Sequence, residues 1–93
     1  MVNALRIHPK DTVVVALSNL ALGTRLEVEG DLESPVTTVH AIPFGHKVAI
    51  VPIKRGEHII KYGASIGVAT VDISPGEHVH IHNLQSIRGR AAQ

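Results

Sequence analysis

The chain has 93 residues, a formal net charge of +1 at pH 7 and only two aromatic side chains, Phe44 and Tyr62. This composition gives no electrostatic support for binding DNA or an anionic membrane and little surface for stacking nucleobases. The absence of cysteine excludes thiol catalysis, disulfides and thiolate metal sites. We expect a single domain over residues 1–93 that is soluble and cytoplasmic, because the sequence contains no signal-like segment or membrane-length apolar run.

Short β-branched runs separated by turn residues predict a mostly β fold. In chain order, strands are predicted near 5–8, 12–16, 37–41, 48–50, 59–61, 66–69 and 79–82. No segment keeps a helical period over three turns, so helix is expected only as single turns near 18–20 and 53–54. The small, charged tail at 88–93 is predicted to be flexible.

One short pattern recurs along the chain. Segments 51–59 and 71–79 align, and 20–26 is a weaker copy. Each contains an aliphatic residue, then any two residues, a glycine, a polar residue, any one residue and a second aliphatic residue. We expect the shared glycine to have a positive φ, so that a new strand starts after it. The uneven spacing indicates a reused turn, or convergence on a common turn chemistry, rather than a solenoid.

The most conspicuous polar pattern is the alternation of His78, His80 and His82 with Val79 and Ile81. On a strand, the three imidazoles would share one face while the two aliphatic residues pack inward. Such a face could be solvated, could contact an anionic substrate, or could offer His80 and His82 to a metal ion. Asn83, which follows, could form a turn or donate to a substrate carboxylate.

Two further clusters lie beside glycines. His46 and Lys47 follow Gly45 and combine an acid/base candidate with a cation, whereas Lys61 and Tyr62 precede Gly63 and could bind a carboxylate. For each cluster the alternative is an exposed turn or a residue at the rim of the core. Sequence spacing identifies no phosphate-binding glycine loop, nucleophile elbow or catalytic triad.

Taken in order, these motifs resemble a known family. They are Gly45-His-Lys-Val-Ala, Gly56-Glu, Ile60-Lys-Tyr-Gly, Ile66-Gly-x-Ala-Thr and Ile73-x-x-Gly-Glu-His-Val-His-x-His-Asn-Leu84. The pattern is similar to the SAF-type domain of altronate and galactarate dehydratases, which occurs at their N-terminus or as a separate small subunit, as in sulfolactate sulfo-lyase. The resemblance covers about residues 8–90 and implies a compact β-clip fold.

The resemblance also implies a function. The chain would be the accessory small subunit of a sugar-acid hydro-lyase, completing the active site of a large subunit that holds most of the catalytic apparatus and a divalent metal, iron or manganese. Because fused relatives continue beyond the position of Gln93, we expect no activity from the chain alone. The alternatives are a sulfolactate sulfo-lyase small subunit and a non-catalytic module that binds carbohydrates or anions, and either could self-associate.

The resemblance carries roles over to particular residues. His46, His80 and His82 are the expected catalytic groups, and His78 ranks below His80 and His82 because relatives often have another residue there. The expected substrate-binding residues are Lys47, Lys61, Tyr62 and Asn83. We predict that His46, Lys61, Tyr62, His80 and His82 converge on one surface that faces the active site of the partner.

Overall fold

A computed structural model describes residues 1–86 and confirms a mostly β fold. The strands are β1 (Ala4–Leu5), β2 (Val13–Ala16), β3 (Val28–Glu29), β4 (Lys47–Ala49), β5 (His58–Lys61), β6 (Ala64–Ala69), β7 (His78–Val79) and β8 (Leu84–Ser86). Residues 1–86 form no helix and hence none that could cross a membrane. The predicted tail at 88–93 lies outside the described residues.

The strands form two sheets. The larger has the order β3-β1-β2-β4-β7 and is antiparallel except for the β1–β3 pair, and the smaller has the order β5-β6-β8. Along β2 alternate side chains enter different cores, because successive residues of a strand point to opposite faces. Val14 and Ala16 belong to a core that includes Leu20, Leu26, Val36 and Ile42, whereas Val13 packs with Ile53, Ile59, Ala69, Ile73 and Val79. The larger sheet therefore separates two aliphatic cores.

The recurring turn is confirmed, and it occurs four times instead of three. The additional copy runs from Ile42 to Val48, and the four shared glycines, Gly23, Gly45, Gly56 and Gly76, have φ between 81° and 91°. In each copy the residue after the glycine donates its backbone N–H to the carbonyl three residues earlier. At Gly76 a side chain is also excluded by space, since a Cβ would lie 2.1 Å from the carbonyl oxygen of Thr37.

The four copies associate in two antiparallel pairs. Leu20 and Ile42 exchange two backbone hydrogen bonds of 2.8 Å, and Ile53 and Ile73 exchange bonds of 2.9 and 2.7 Å. These bridges explain why the helical turns predicted near 18–20 and 53–54 are wrong. The backbone groups of Leu20 and Ile53 pair with distant residues of the same turn type rather than with their neighbours.

Two predicted strands are also corrected. No strand forms at 37–41, because the Thr38 side chain bonds Ala21 and Thr24 while successive backbone groups pair with different elements. The strand predicted at 79–82 ends at Val79, and Ile81 is 85% exposed instead of packing inward. The short strands β3 and β8 were not predicted, although β8 continues the smaller sheet and β3 pairs with β1.

Candidate functional site

Four imidazoles meet at the edge of the larger sheet and form what we call the histidine cluster: His46, His78, His80 and His82. The register of β4 and β7 pairs Lys47 with Val79, so His46 lies opposite His80. Their rings stack with centroids 4.3 Å apart and an interplanar angle of 7°. His82 lies 5.3 Å from His78, centroid to centroid. The fold thus brings together the three residues that we predicted to be catalytic.

The turn that follows β7 places the last part of this cluster. Asn83 is 4% exposed, and its side chain accepts a hydrogen bond from the His80 N–H and donates one to the His78 carbonyl, both at 2.9 Å. These bonds close a turn over 81–83, which carries His82 back towards His78 and leaves Ile81 in solvent. The geometry of Asn83 matches the turn-forming alternative, and its predicted contact with substrate stays a prediction.

His78 lies at the centre of the cluster, although from the sequence we expected it to matter less than His80 and His82. Its Nε2 is 2.8 Å from Nδ1 of His46, and its backbone N–H donates to Nδ1 of His40 at 3.3 Å. The alternating histidines were a visible signal for His78. His40 had no such signal, because it lies 38 residues away in sequence and reaches the cluster only through the fold.

Burial and mutual repulsion keep two of these imidazoles neutral. Desolvation, followed by the charges of His46, His82, His80 and His40, lowers the pKa of His78 to about 4. Desolvation also lowers the pKa of His80, with smaller contributions from His46, Lys47 and His82. At neutral pH both rings therefore have one nitrogen with a lone pair, which can accept a hydrogen bond or a proton.

The second part of the site is a groove of about 540 Å³ between the sheets. It is lined by Lys47, Lys61, Tyr62, Ala64, Ser65, Ile66, Leu84 and Ser86. Desolvation and the neighbouring charge of Lys61 lower the pKa of Lys47. Within residues 1–86, no carboxylate lies within ion-pair distance of either ammonium group. Two adjacent cations without an acidic partner are suited to binding an anion.

Tyr62 occupies an unusual backbone position in this groove. It has a φ of 58° and Gly63 a φ of 72°, so the two form the tight turn of the β5–β6 hairpin. That conformation is strained for a bulky residue and favours Gly, Asn or Asp. Tyr62 as a residue is 62% exposed, and the Lys61 ammonium lies 4.9 Å from the centroid of its ring. A strained, exposed aromatic residue next to a cation is more typical of a binding site than of a structural turn.

A buried carboxylate holds this turn in place by hydrogen bonds. Asp11 is 1% exposed, and it accepts hydrogen bonds from the Gly63 N–H at 2.8 Å and the His8 N–H at 3.0 Å. Sequence reasoning did not single out Asp11, because its contact with Gly63 spans 52 residues and its local bond to His8 is that of an ordinary turn. Its role is to hold the backbone that presents Tyr62.

Lys47 links the histidine cluster to the groove, because it lines the groove and directly follows His46 in the chain. Because neighbouring residues of a strand point to opposite faces, His46 faces the cluster and Lys47 faces the groove. The charge of Lys47 nevertheless acts on the pKa of His80, and the charge of Lys61 acts on that of Lys47. The five residues that we predicted to converge therefore fall into two groups on either side of β4, and their use as one surface stays a prediction.

The described residues of this chain do not fit the divalent metal that the resemblance implies. Within the described part of the chain, no group of three or more histidine, aspartate or glutamate side chains is arranged to hold a metal ion. His46 and His78 bring two ring nitrogens together, but they lie in hydrogen-bonding contact with each other. Non-heme iron(II) sites, for example, use two histidines and a carboxylate, that is, three protein ligands. The described residues therefore do not form a metal centre.

Comparisons with known proteins agree with the motifs. Residues 2–87 match the family model described as the altronate/galactarate dehydratase SAF domain. The chain is 43% identical over 82 residues to the altronate dehydratase of Escherichia coli K12 and 40% identical over 86 residues to that of Bacillus subtilis 168. These alignments cover 88% and 92% of this chain but only 16% and 17% of the dehydratases.

A shorter relative matches over a smaller region. The chain is 48% identical over 48 residues to the (2R)-sulfolactate sulfo-lyase subunit alpha of Chromohalobacter salexigens, covering 52% of this chain and 51% of that subunit. The family model matches a larger part of the chain than this relative does. The chain therefore belongs to the family of altronate/galactarate dehydratase SAF domains.

Proposed function

We propose that this chain is the accessory subunit of a sugar-acid hydro-lyase and completes the active site of a separate large subunit. The proposal rests on one observation: the described part of the chain has many polar side chains that could bind a ligand, but it does not enclose a ligand. The described residues present four clustered imidazoles and, in an adjacent open groove, two lysines without an acidic partner, on a domain with a radius of gyration of only 12.4 Å. Ligand sites of enzymes usually bury most of the ligand, so a second protein surface has to close this one.

The surroundings of the histidine cluster support such a covering surface. Val39, Phe44 and Ile81 are 45%, 65% and 85% exposed, and each lies within two residues of a histidine of the cluster or His40. Exposed apolar side chains beside polar groups are common where another protein docks. The occupant that we propose is the large subunit, because the matching dehydratases contain this domain as only about a sixth of their length.

The proposed chemistry assigns each group of residues a task. Dehydration of a hydroxy acid removes the proton next to the carboxylate and protonates the hydroxyl group that leaves. Lys47, Lys61 and the Tyr62 hydroxyl would bind the carboxylate of the substrate. His46 and His80 would accept or donate protons, with His82 at the open side of the cluster. We assign the divalent metal of the family to the large subunit.

The proposal is tested by isolating the complex. The tagged chain is recovered from the native source, co-purified chains are identified by mass spectrometry, and the purified pair is assayed with altronate, galactarate and (2R)-sulfolactate. We expect a large chain that matches the remainder of the dehydratases and conversion of a sugar acid to a 2-keto-3-deoxy acid. A purified pair that converts none of the three acids would contradict the proposal, as would a chain that binds sugar acids but no partner.

A sulfo-lyase subunit is the second candidate. It is favoured by the 48% identity to a subunit alpha that is itself short, since 48 aligned residues are 51% of its length. The same assay separates the two candidates, because only a sulfo-lyase releases sulfite from (2R)-sulfolactate. Sulfite release without sugar-acid dehydration would replace the first candidate by the second.

A further inference from the structure

The contact between His46 and His78 connects two ring nitrogens, Nδ1 of His46 and Nε2 of His78, at 2.8 Å. Neutral imidazole has one N–H and one lone pair, so a bond of this length requires one ring to donate and the other to accept. Nδ1 of His46 is therefore engaged inside the protein. Any proton exchange between His46 and a substrate has to use its other nitrogen, Nε2.

We propose that His78 is a positioning residue for His46: it accepts a hydrogen bond from Nδ1–H of His46 and so leaves the lone pair of Nε2 free to take a proton from the substrate. This proposal rests on the proposed function, because the proposed function names the substrate as the source of the proton. Its geometric basis, however, lies wholly within this chain. A histidine base is commonly oriented by an acceptor on its far nitrogen, and here a neutral imidazole would take the place of the usual carboxylate.

The direction of the hydrogen bond follows from the base role proposed for His46. Desolvation, followed by the charges of His46, His82, His80 and His40, lowers the pKa of His78 to about 4, so His78 is neutral near pH 7. Once His46 has taken a proton from the substrate, both of its ring nitrogens carry hydrogen. His46 then donates from Nδ1 to the lone pair of His78 Nε2. If neutral His46 already donates from Nδ1, neither ring has to move when the proton arrives. We therefore take this arrangement as the resting state.

The stacked neighbour limits how far His46 can turn. The His80 ring lies parallel to it at 4.3 Å, so His46 can rotate little without losing this contact. Stacking holds the plane of the ring, and the bond to His78 occupies Nδ1, which leaves Nε2 as the remaining ring nitrogen. His78 thus acts through His46 and need not touch the substrate.

The test measures the tautomer of His46 in the chain itself, without a partner or substrate. Long-range ¹H–¹⁵N spectra at about pH 8, with a chelator present, distinguish the Nδ1–H form from the Nε2–H form. We expect His46 to be mainly the Nδ1–H tautomer in the wild type. The preference should be lost in H78L and kept in H78Q, whose side-chain oxygen can replace Nε2 as the acceptor.

The matched control is H58Q, which alters an exposed histidine whose ring nitrogen contacts Ser65 and not the cluster; the tautomer of His46 should not change. A wild-type His46 in the Nε2–H form would overturn the proposal, and this measurement decides the question even if H78L fails to fold. Loss of the preference in H78Q as well as in H78L would overturn it too, because the acceptor would then not be the cause. Since no turnover is measured, failure here is distinct from failure of the proposed function.

Discussion

His46 and His78 are separated by 32 residues in sequence, yet their ring nitrogens lie 2.8 Å apart where β4 and β7 pair. This contact is a consequence of the recurring turn, because the copies ending at Val48 and Val79 deliver the two strands in register. It also ties the chemistry of the cluster to the stability of the fold. An imidazole that must stay neutral in the folded state makes folding depend on pH.

We predict that stability falls as the pH is lowered from 6.5 towards 4. The pKa of His78 is about 4 in the folded state and near 6.5 when unfolded, so the unfolded chain binds more protons in this interval. The contribution is complete above about pH 6.5 and is lost progressively as the pH falls. Urea midpoints measured between pH 7.5 and 4 should decline less steeply in H78Q than in the wild type or in H58Q. Equal slopes for the three proteins would exclude His78 as the cause.

We predict that Tyr62→Asn stabilises the chain by about 0.5–1 kcal/mol, because Asn tolerates a positive φ better than a bulky residue does. The same change should lower the turnover of the reconstituted enzyme, since it removes the phenol from the groove. Tyr62→Phe is the matched control: it retains the strain and should lose turnover without a gain in stability. Thermal melts and steady-state assays measure both effects. A Tyr62→Asn variant with full turnover would remove Tyr62 from the site.

We predict that Asp11→Ala costs about 2–3 kcal/mol, because Asp11 is buried and its removal leaves the part-buried N–H groups of Gly63 and His8 without their acceptor. Asp72→Ala serves for comparison, as Asp72 also accepts a backbone N–H, from Arg55, but in an exposed position. That variant should lose less than about 1 kcal/mol, because water can replace the carboxylate. Chemical denaturation provides the values. Equal losses would mean that Asp11 does not hold the Tyr62 turn.

The sequence predicted the features that depend on local chemistry. Glycine turns, β-branched runs and the motifs around His46, Lys61 and His80 were sufficient for the fold class and the family. Features that depend on pairing between distant segments were missed. The Ile53–Ile73 bridge converted a predicted helical turn into a β-bridge, and the Asn83 side chain ended a predicted strand at Val79. Likewise, His40 and Asp11 become neighbours of the site only after folding.

We predict that Lys61→Ala and His82→Ala each lower the turnover of the reconstituted enzyme by about ten- to a thousand-fold, as expected for a positioned cation or acid. Both variants should retain wild-type stability within about 0.5 kcal/mol, because the changes are at the surface. Lys10→Ala, which alters an exposed lysine outside the groove, is the control and should retain full turnover. If the two variants fold, bind the large subunit and turn over at the wild-type rate, these residues are not part of the site.

The most direct test of the central claim is a titration of the purified large subunit with this chain while dehydration of its sugar acid is followed. We predict no turnover from this chain alone, little from the large subunit alone, and activity that rises with added chain and saturates when the two are equimolar. Full activity of the large subunit without the chain would contradict the claim, as would turnover by the chain after contamination with its partner has been excluded.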